Sequence, residues 1–174
     1  MSKYIETKRL LLRELYPSDD VKMFILDSNP EVHRYVGKEP VTKIEQVQAA
    51  ITSVRQQYKD NGIGRWAVIL KETNEFIGWA GLKLEKNVNG HEQFYDLGYR
   101  FIQDHWGKGY ATEAAKAFLD YGFNRLHLAT INAWADSENK GSRKVLEKLG
   151  FTYVNTFQHD GEEEVWYEIK NPNK

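Results

Sequence analysis

HWGKGYATEAAKAF, residues His105 to Phe118, is the stretch of this chain that most narrows the choice of fold. Its first half places Gly107 and Gly109 two residues apart, and its second half is an alanine-rich run typical of a helix. Glycine lets a backbone approach a ligand closely and adopt torsions that other residues avoid. The first N–H groups of a helix have no intrahelical acceptor and, together with the helix dipole, favour an anion. The stretch therefore predicts a negatively charged ligand held against the backbone where a helix begins.

Several interpretations compete for this stretch. A Walker loop ends in Gly-Lys-Ser or Gly-Lys-Thr, which GKGYAT lacks. A dinucleotide-binding fingerprint needs a third glycine where Thr112 stands, and it lies early in a parallel β–α–β fold. A third phosphate site would hold a pyrophosphate by backbone amides without a metal ion. A tight strand-to-helix turn that binds nothing fits the same residues. From these residues alone the last two interpretations both remain open.

The composition is that of an ordinary globular protein. The chain has 174 residues, the usual size of one domain, with 41% hydrophobic and 28% charged residues. Its 24 basic and 25 acidic residues argue against a nucleic-acid interface built on bulk positive charge. The absence of cysteine excludes disulfides, thiolate metal ligands and a cysteine nucleophile, and the five histidines lack metal-ligand spacing. With no signal-peptide pattern and no run of about 18 apolar residues, a cytoplasmic protein without membrane association is expected.

Hydrophobic periodicity predicts helices early in the chain, then a series of strands, then two strand–helix alternations. Helices are predicted after Pro17 and Pro40, over about Tyr110 to Asn124, and over SENKGSRKVLEKLG. A hairpin through Asp160-Gly161 would join the last two strands. This order predicts an α+β fold around one twisted sheet. The predicted strands are RLLLREL (Arg9–Leu15), RWAVILK, EFIGWAGLKLEK, QFYDLGYRFI (Gln93–Ile102), LATINAWA, FTYVNTF and EEVWYEIK, with a polar loop, NVNGHEQ (Asn87–Gln93), before the fourth.

WGKGYATEA also resembles the acyl-CoA-binding motif of the GNAT superfamily of N-acetyltransferases, Arg/Gln-x-x-Gly-x-Gly/Ala. Gly109 and Ala111 match its last two defined places, while Trp106 stands where Arg or Gln is usual. Three further segments, ETKRLLLREL, YDLGYRF and SENKGSRKVLEKLGF, are similar to motifs of the RimJ/RimL-like branch, which includes ribosomal-protein N-terminal acetyltransferases. The resemblance covers nearly the whole chain. It implies a single acetyltransferase domain over residues 1–174, with one mixed, mostly antiparallel sheet flanked by about four helices.

The resemblance implies a site for acetyl-CoA and none for a metal ion. The pantetheine arm would lie along the strand through YDLGYRF. The stretch that contains Gly107 and Gly109 would hold the pyrophosphate. Asn139 would contact the pantetheine arm or the substrate, and Ser142 would protonate the departing thiolate. A competing interpretation makes Asn139 and Ser142 ordinary first-turn residues of a helix. The implied cofactor-binding residues are Tyr99, Arg100, Phe101, Ile102, Trp106, Gly107, Lys108, Gly109, Tyr110, Ala111, Thr112 and Asn139.

Acetyl transfer to an amine also requires that the amine lose its proton. Asp96 lies two residues before Gly98-Tyr99, where the family often carries an acidic residue, and is the candidate base. A solvated strand carboxylate is the competing interpretation. A lysine amine, with a pKa of about 10.4, costs about 4–5 kcal/mol to deprotonate at pH 7, whereas an α-amine of pKa about 8 costs about 1. The acidic segment HDGEEEVWYE would attract a cationic acceptor, although a solvated hairpin tip is the ordinary interpretation of such a run.

These observations predict an acetyl-CoA-dependent N-acetyltransferase whose acceptor is the N-terminal amine of a protein or peptide. A small polyamine or an amine-bearing antibiotic is the alternative acceptor. A non-catalytic acyl-CoA-binding domain is the alternative class of protein. Neither a nucleic acid nor a membrane is expected as a partner, and the chain would act as a monomer or a homodimer.

Overall fold

A computed structural model describes residues 3–36 and 39–174, so residues 1, 2, 37 and 38 of the expected domain lie outside the described residues. The described chain contains one eight-stranded sheet and four α-helices. Short 3-10 turns at Pro17–Asp19 and Gln103–His105 precede the first helix and the glycine loop. The helices are α1 (Asp20–Asp27), α2 (Ile44–Asn61), α3 (Tyr110–Asn124) and α4 (Lys140–Lys148). The strands are β1 (Tyr4–Glu6), β2 (Leu10–Glu14), β3 (Trp66–Leu70), β4 (Glu75–Val88), β5 (His91–Phe101), β6 (Thr130–Asp136), β7 (Thr152–His159) and β8 (Glu162–Lys170).

The sheet is mixed and mostly antiparallel. Its strand order is β1-β2-β3-β4-β5-β6-β8-β7, and the only parallel neighbours among the described strands are β5 and β6. α3 connects these two parallel strands along the chain, as a parallel crossover requires. The predicted α+β fold with one mixed sheet is therefore confirmed.

The hairpin between β4 and β5 departs from the expectation of a polar loop over Asn87–Gln93. Both strands continue to a two-residue turn, and Val88 pairs with His91 across it. Asn89 and Gly90 take φ values of 50° and 77°, the left-handed pair that a tight hairpin turn demands. The predicted loop was wrong because the polarity of its flanks marks exposed strand ends. The other predicted turn is confirmed, with Asp160 and Gly161 at φ 50° and 82° between β7 and β8.

The two faces of the sheet are covered differently. On one face, α3 and α4 pack Phe118 and Leu146 against strand residues such as Leu97 in the largest hydrophobic cluster. On the other face, α1 and α2 cover strands β2 to β4, with Leu26 and Ile51 buried between them and the sheet. The rest of that second face carries a cluster drawn from strands alone, comprising Val88, Phe94, Trp134, Phe157 and Trp166. Beside β6, β8 and β7 the second face is therefore covered by its own aromatic side chains and by none of the described helices.

The sheet parts between β5 and β6. These strands pair at one position, Asp96 with Asn132, whereas β5 pairs with β4 over almost its whole length. From Leu97 to Phe101 the edge of β5 that faces β6 has no ladder partner among the described residues. Unpaired backbone groups on a strand edge are suited to bind an extended ligand as an added strand. We call this opening the β5–β6 gap.

Candidate active site

The glycine loop, residues 105–112, is a left-handed turn that leads into α3. Gly107 and Gly109 have φ values of 72° and 82°, and Gly109 is the N-cap of the helix. The first helical bond runs from the Glu113 N–H to the Gly109 carbonyl (3.1 Å), so the N–H groups of the preceding turn point out of the helix. A Cβ added to Gly107 would meet nothing within 4 Å. The loop therefore presents outward N–H groups beside open space, as an anion site requires.

Trp106 ties the glycine loop back to the end of β5. Its indole N–H donates to the Phe101 carbonyl (2.8 Å), while its side chain remains 45% exposed. Lys108 is exposed, and its carbonyl accepts a hydrogen bond from Nη1 of Arg9 (2.8 Å). Tyr110 is buried in the main core beneath the Arg9 guanidinium, so its ring supports the loop from inside. Sequence reasoning missed Arg9, which is about a hundred positions from the loop.

At the end of β5, fewer backbone and side-chain groups are available to a cofactor than the resemblance implies. The Ile102 N–H donates to the Ile77 carbonyl (2.9 Å), and its own carbonyl accepts from the His105 N–H (2.9 Å). The only backbone donor of Ile102 is therefore occupied by β4, and the backbone edge that faces the gap ends at Phe101. The Arg100 side chain pairs with Asp27 of α1 (2.9 Å) on the face away from α3 and α4. The backbone groups of Arg100 lie on the same β4 side as the Ile102 N–H, because they alternate between the two edges of a strand and Arg100 pairs with Trp79. Arg100 therefore offers the gap neither its side chain nor its backbone groups.

Two hydroxyl groups meet on the α3–α4 face of the sheet. The Tyr99 hydroxyl lies 3.1 Å from Oγ of Ser142, which is the third residue of α4. Asn139 is the N-cap of that helix, and its Oδ1 accepts the Ser142 N–H (3.1 Å). Burial raises the pKa of Tyr99 to about 12, although the hydrogen bond with Ser142 acts in the opposite direction. Both hydroxyls therefore keep their protons at neutral pH, and the pair is a potential proton donor.

Asp96 is a buried carboxylate, 5% exposed, and not a solvated strand residue. Nη2 of Arg65 hydrogen-bonds to its Oδ2, and Nη1 of Arg65 donates to its backbone carbonyl (2.8 Å). The guanidinium fits because Gly98 has no side chain: a Cβ there would lie 2.7 Å from Arg65 Nη2. Burial raises the pKa of Asp96 to about 6, against the charge and hydrogen bond of Arg65, which lower it. Asp96 is thus ionised at pH 7 and able to accept a proton.

Asp96 and Tyr99 lie on opposite faces of the sheet. They are three positions apart in a regularly paired part of β5, and side chains alternate along a strand. Asp96 is also the residue at which β5 last touches β6, so the β5–β6 gap begins beside it. An acyl group in the gap would have hydroxyl donors on one side and a carboxylate on the other.

A second group of carboxylates lies on the same face as Asp96. Asp136 and Glu164 are cross-strand partners in β6 and β8. Partial burial raises the pKa of Glu164 to about 7, and the neighbouring charges of Asp136, Glu162 and Asp160 add to the effect. Trp134, two residues before Asp136, packs against Phe94 of β5 (5.8 Å between ring centroids) and links this acidic group to the gap. The acidic segment is therefore more than a solvated hairpin tip, since Glu164 is half-buried.

Two kinds of feature are absent from the described ranges. Across residues 3–36 and 39–174, no three His, Asp or Glu side chains are grouped so that they could hold a metal ion. Over the same ranges, no helix has the length and apolar character needed to cross a membrane.

The fold of the described chain matches that of a solved GNAT-family acetyltransferase. The chain belongs to the acetyltransferase (GNAT) domain family, whose family model matches residues 9–152. It is 36% identical over 146 residues to "Uncharacterized N-acetyltransferase p20" of Bacillus licheniformis, covering 83% of this chain and 80% of that protein. It is 28% identical over 149 residues to spermidine N(1)-acetyltransferase of Escherichia coli, covering 86% and 76%. The crystal structure of a GNAT-family acetyltransferase from Bacillus anthracis has a TM-score of 0.80 at 29% identity and covers 97% of this chain and 99% of that one.

Membership of this family makes the protein an acyltransferase that moves an acetyl group from acetyl-CoA to an amine. The predictions of fold class, of an enzyme and of the GNAT superfamily are confirmed. The acceptor amine and the residues that act on it stay predictions, and the geometry of the gap guides the proposals that follow.

Proposed function

We propose that the protein acetylates the N-terminal α-amine of a protein or peptide, as enzymes of the RimJ/RimL-like branch do. The observation that carries this proposal is the buried Asp96–Arg65 pair at the start of the β5–β6 gap. A carboxylate of pKa about 6 is a weak base. It can accept a proton from an α-amine of pKa about 8 far more easily than from a lysine amine of pKa about 10.4. The motifs ETKRLLLREL, YDLGYRF and SENKGSRKVLEKLGF support the same branch.

Acetyl-CoA is proposed to lie along the free edge of β5. Its pantetheine arm pairs with backbone groups from Leu97 to Phe101, and Asn139 contacts the arm from the start of α4. The pyrophosphate rests on the N–H groups between Gly107 and Thr112, where the backbone supplies the charge complement without a metal ion. Residues 1–174 form this one domain.

The chemistry is proposed to run across the gap. The acceptor amine approaches on the Asp96 face, and the carboxylate takes its proton directly or through one water as nitrogen bonds to the acyl carbon. The carbon–sulfur bond then breaks, and Ser142 donates its hydroxyl proton to the leaving thiolate. The Tyr99 hydroxyl, 3.1 Å from Ser142 Oγ, is placed to return a proton to Ser142. Tyr99 regains that proton from solvent and Asp96 releases the proton of the amine to solvent, so the enzyme returns to its starting state. The products are the acetylated amine and CoA.

A small polyamine is the second candidate acceptor. The relative named spermidine N(1)-acetyltransferase favours it, as do Asp136 and Glu164 beside the gap. The same carboxylates would attract an amine-bearing antibiotic. The amines of a polyamine hold their protons more tightly than an α-amine does, which makes Asp96 a poor base for them.

An acceptor panel tests the proposal. Release of free CoA is followed with a basic peptide bearing a free N-terminus, with the same peptide acetylated at its N-terminus but carrying a free lysine, and with spermidine. We expect kcat/KM to be highest for the free N-terminus. Equal rates for the two peptides, or a clear preference for spermidine, would refute the α-amine assignment and leave the acetyltransferase assignment standing.

A further inference from the structure

An ion pair joins the segment before β2 to the first turn of α3. The Glu113 Oε1 atom accepts hydrogen bonds from the Thr7 hydroxyl (2.6 Å) and from the Arg9 backbone N–H (2.8 Å). Its Oε2 atom accepts from Nε of Arg9 at 2.7 Å. Three donors from one short segment thus hold one carboxylate, and they connect parts of the chain more than a hundred positions apart.

The Arg9 side chain continues from this carboxylate into the glycine loop. Its Nη1 donates to the Lys108 carbonyl (2.8 Å), and its guanidinium carbon lies 4.5 Å from the centre of the Tyr110 ring. A Cβ on Gly109 would stand 3.3 Å from Nη2, so the guanidinium lies directly against that residue too. Arg9 therefore contacts three consecutive loop residues around the point where α3 begins.

Glu113 raises an electrostatic problem for a phosphate at this helix start. A carboxylate in the first turn of a helix is stabilised by the helix dipole, but it also repels a second anion at the same end. Burial acts to raise the pKa of Glu113, yet the hydrogen bonds from Thr7 and Arg9, with the Arg9 charge, hold it below its usual range. Glu113 is therefore ionised, and Arg9 is the cation that cancels its charge.

We propose that Arg9 is a positioning residue for the phosphates of the cofactor, which fixes the glycine loop through Lys108 and neutralises Glu113. The inference rests on the proposed function, because it takes the glycine loop as the pyrophosphate site. It adds a residue outside the glycine loop and outside the acyl-CoA-binding motif that WGKGYATEA resembles. The arrangement keeps the outward N–H groups of α3 attractive to an anion while the Glu113 carboxylate lies in the same turn.

Calorimetry with the full chain tests the proposal with two probes, CoA and adenosine 3′-phosphate 5′-diphosphate. The second probe carries the phosphates of CoA without the pantetheine arm. Arg9→Gln should weaken both by the same factor, about tenfold, or about 1.4 kcal/mol. A loss for CoA without a loss for the nucleotide would overturn the proposal, because the effect would then lie at the pantetheine arm.

The double variant Arg9→Gln/Glu113→Gln separates a charge effect from a loss of structure. Removing the unpaired carboxylate should restore binding of both probes to within about threefold of the unaltered protein, a gain of roughly 0.7 kcal/mol over the single variant. Binding as weak as in Arg9→Gln, or weaker, would show that Glu113 does not repel the ligand and would overturn the proposal.

Arg13 offers a matched control. It lies four residues further along in β2, forms two hydrogen bonds with Asp19 (both 2.9 Å) and covers the Tyr16 ring at 4.1 Å. Arg13→Gln should lower thermal stability but leave the affinity for both probes unchanged. An equal loss of affinity in Arg13→Gln would show that the Arg9 variant acts through a general loss of stability, and it would overturn the proposal. If Arg9→Gln does not fold, Arg9→Lys serves in its place, because it keeps the positive charge but loses the paired N–H donors of the guanidinium. We expect Arg9→Lys to lower the affinity for both probes about threefold. Unchanged affinity would overturn the proposal.

Gly107→Val distinguishes failure of this inference from failure of the proposed cofactor site. If this variant is folded and binds CoA normally, the glycine loop is not the phosphate site, whatever Arg9→Gln does. If Gly107→Val loses affinity while Arg9→Gln keeps it, the proposed cofactor site stands and the role of Arg9 alone fails.

Discussion

Ser142 has the most specific proposed role, because it would donate a proton to the leaving thiolate. An ordinary residue in the first turn of a helix would have no such effect on turnover. Ser142→Ala should lower kcat by about 100-fold, the lower end of the range for a general acid, and leave CoA affinity nearly unchanged. Tyr99→Phe should cost less, because Ser142 keeps its own proton. Steady-state kinetics and calorimetry measure the two effects. Weaker CoA binding with unchanged turnover at saturation would make Ser142 a cofactor contact and not an acid.

If Asp96 is the base, kcat/KM should fall on the acid side of its pH profile. Its folded pKa of about 6 lies above the usual value, so the carboxylate takes up a proton as the pH falls through about 6 and can no longer act as a base. An α-amine acceptor must lose its own proton, so kcat/KM should fall about tenfold per pH unit below about pH 8. Below about pH 6 protonation of Asp96 adds a second limb, and the fall should steepen to about a hundredfold per pH unit. Asp96→Asn should remove the limb near pH 6 and keep the one near pH 8; persistence of both would exclude Asp96 as the base.

The partners of these residues could not be predicted from the sequence. Arg65 is 31 positions from Asp96, and Ser142 is 43 positions from the Tyr99 hydroxyl. Local spacing indicates which side chains share a face of one element, whereas these contacts depend on where the segment before β3 and helix α4 lie relative to β5. The sequence therefore identified Asp96 and Ser142 as candidates, but the charge that holds one and the hydroxyl beside the other required the fold.

At the scale of elements, the junction between the glycine loop and α3 makes a prediction about backbone shape. Gly109→Val places a branched side chain at φ 82°, where L-residues are strained, and against the Arg9 guanidinium. The affinity for acetyl-CoA should fall at least tenfold, about 1.4 kcal/mol, by calorimetry. Added EDTA should leave the affinity of the unaltered protein unchanged, and a loss in EDTA would contradict a site made of backbone N–H groups alone.

Gly62→Val is the matched control for that prediction. Gly62 ends α2 at φ 70°, and a Cβ there would meet nothing within 4 Å, so the backbone strain is similar but far from α3. We expect lower thermal stability and normal acetyl-CoA affinity. If a folded Gly109→Val variant binds acetyl-CoA as well as Gly62→Val does, the glycine loop is not the pyrophosphate site.

The helices and the strands of five residues or more were predictable, whereas the shortest strand was not. The predicted helix over about Tyr110 to Asn124 coincides with α3, because fifteen residues contain several full periods of an amphipathic pattern. β1 spans three residues, Tyr4–Glu6, which is too few to show alternation, and it was missed. The turn at Asn89-Gly90 carried the usual hairpin dipeptide, but the polar residues around it outweighed that evidence.

At the scale of the whole molecule, the order of motifs predicted the fold, but not the β5–β6 gap. The gap exists because two strands joined through α3 pair at one residue and then diverge, and neither strand shows this in its own sequence. The distribution of charge, like the gap, becomes visible only in the folded chain. The chain carries a net charge of −1, which predicts no strong attraction for any partner. Folding gathers Asp136, Glu162 and Glu164 on one face, so the attraction for a cation is local.

This local charge leads to a prediction about salt. If the carboxylates around Glu164 draw a basic peptide towards the gap, kcat/KM for that peptide should fall as salt rises, since exposed charges are screened beyond about 8 Å at physiological ionic strength. Above about pH 8, where the Glu164 carboxyl is ionised, Glu164→Gln should lower kcat/KM at low salt and flatten the salt dependence. Glu72→Gln, in the exposed turn between β3 and β4, is the matched control and should behave like the unaltered protein.

The same experiment separates attraction of the acceptor from chemistry. Because Glu164 acts on the approach of a cation, Glu164→Gln should leave kcat at saturating peptide and the affinity for acetyl-CoA unchanged, whereas a variant of Ser142 or Asp96 lowers kcat at every salt concentration. Its effect should also vanish for a peptide whose only positive charge is the reacting amine. A salt dependence identical in Glu164→Gln and Glu72→Gln would leave the acidic face without a role in acceptor choice. The preference for an α-amine would then rest on the weak base at Asp96 alone.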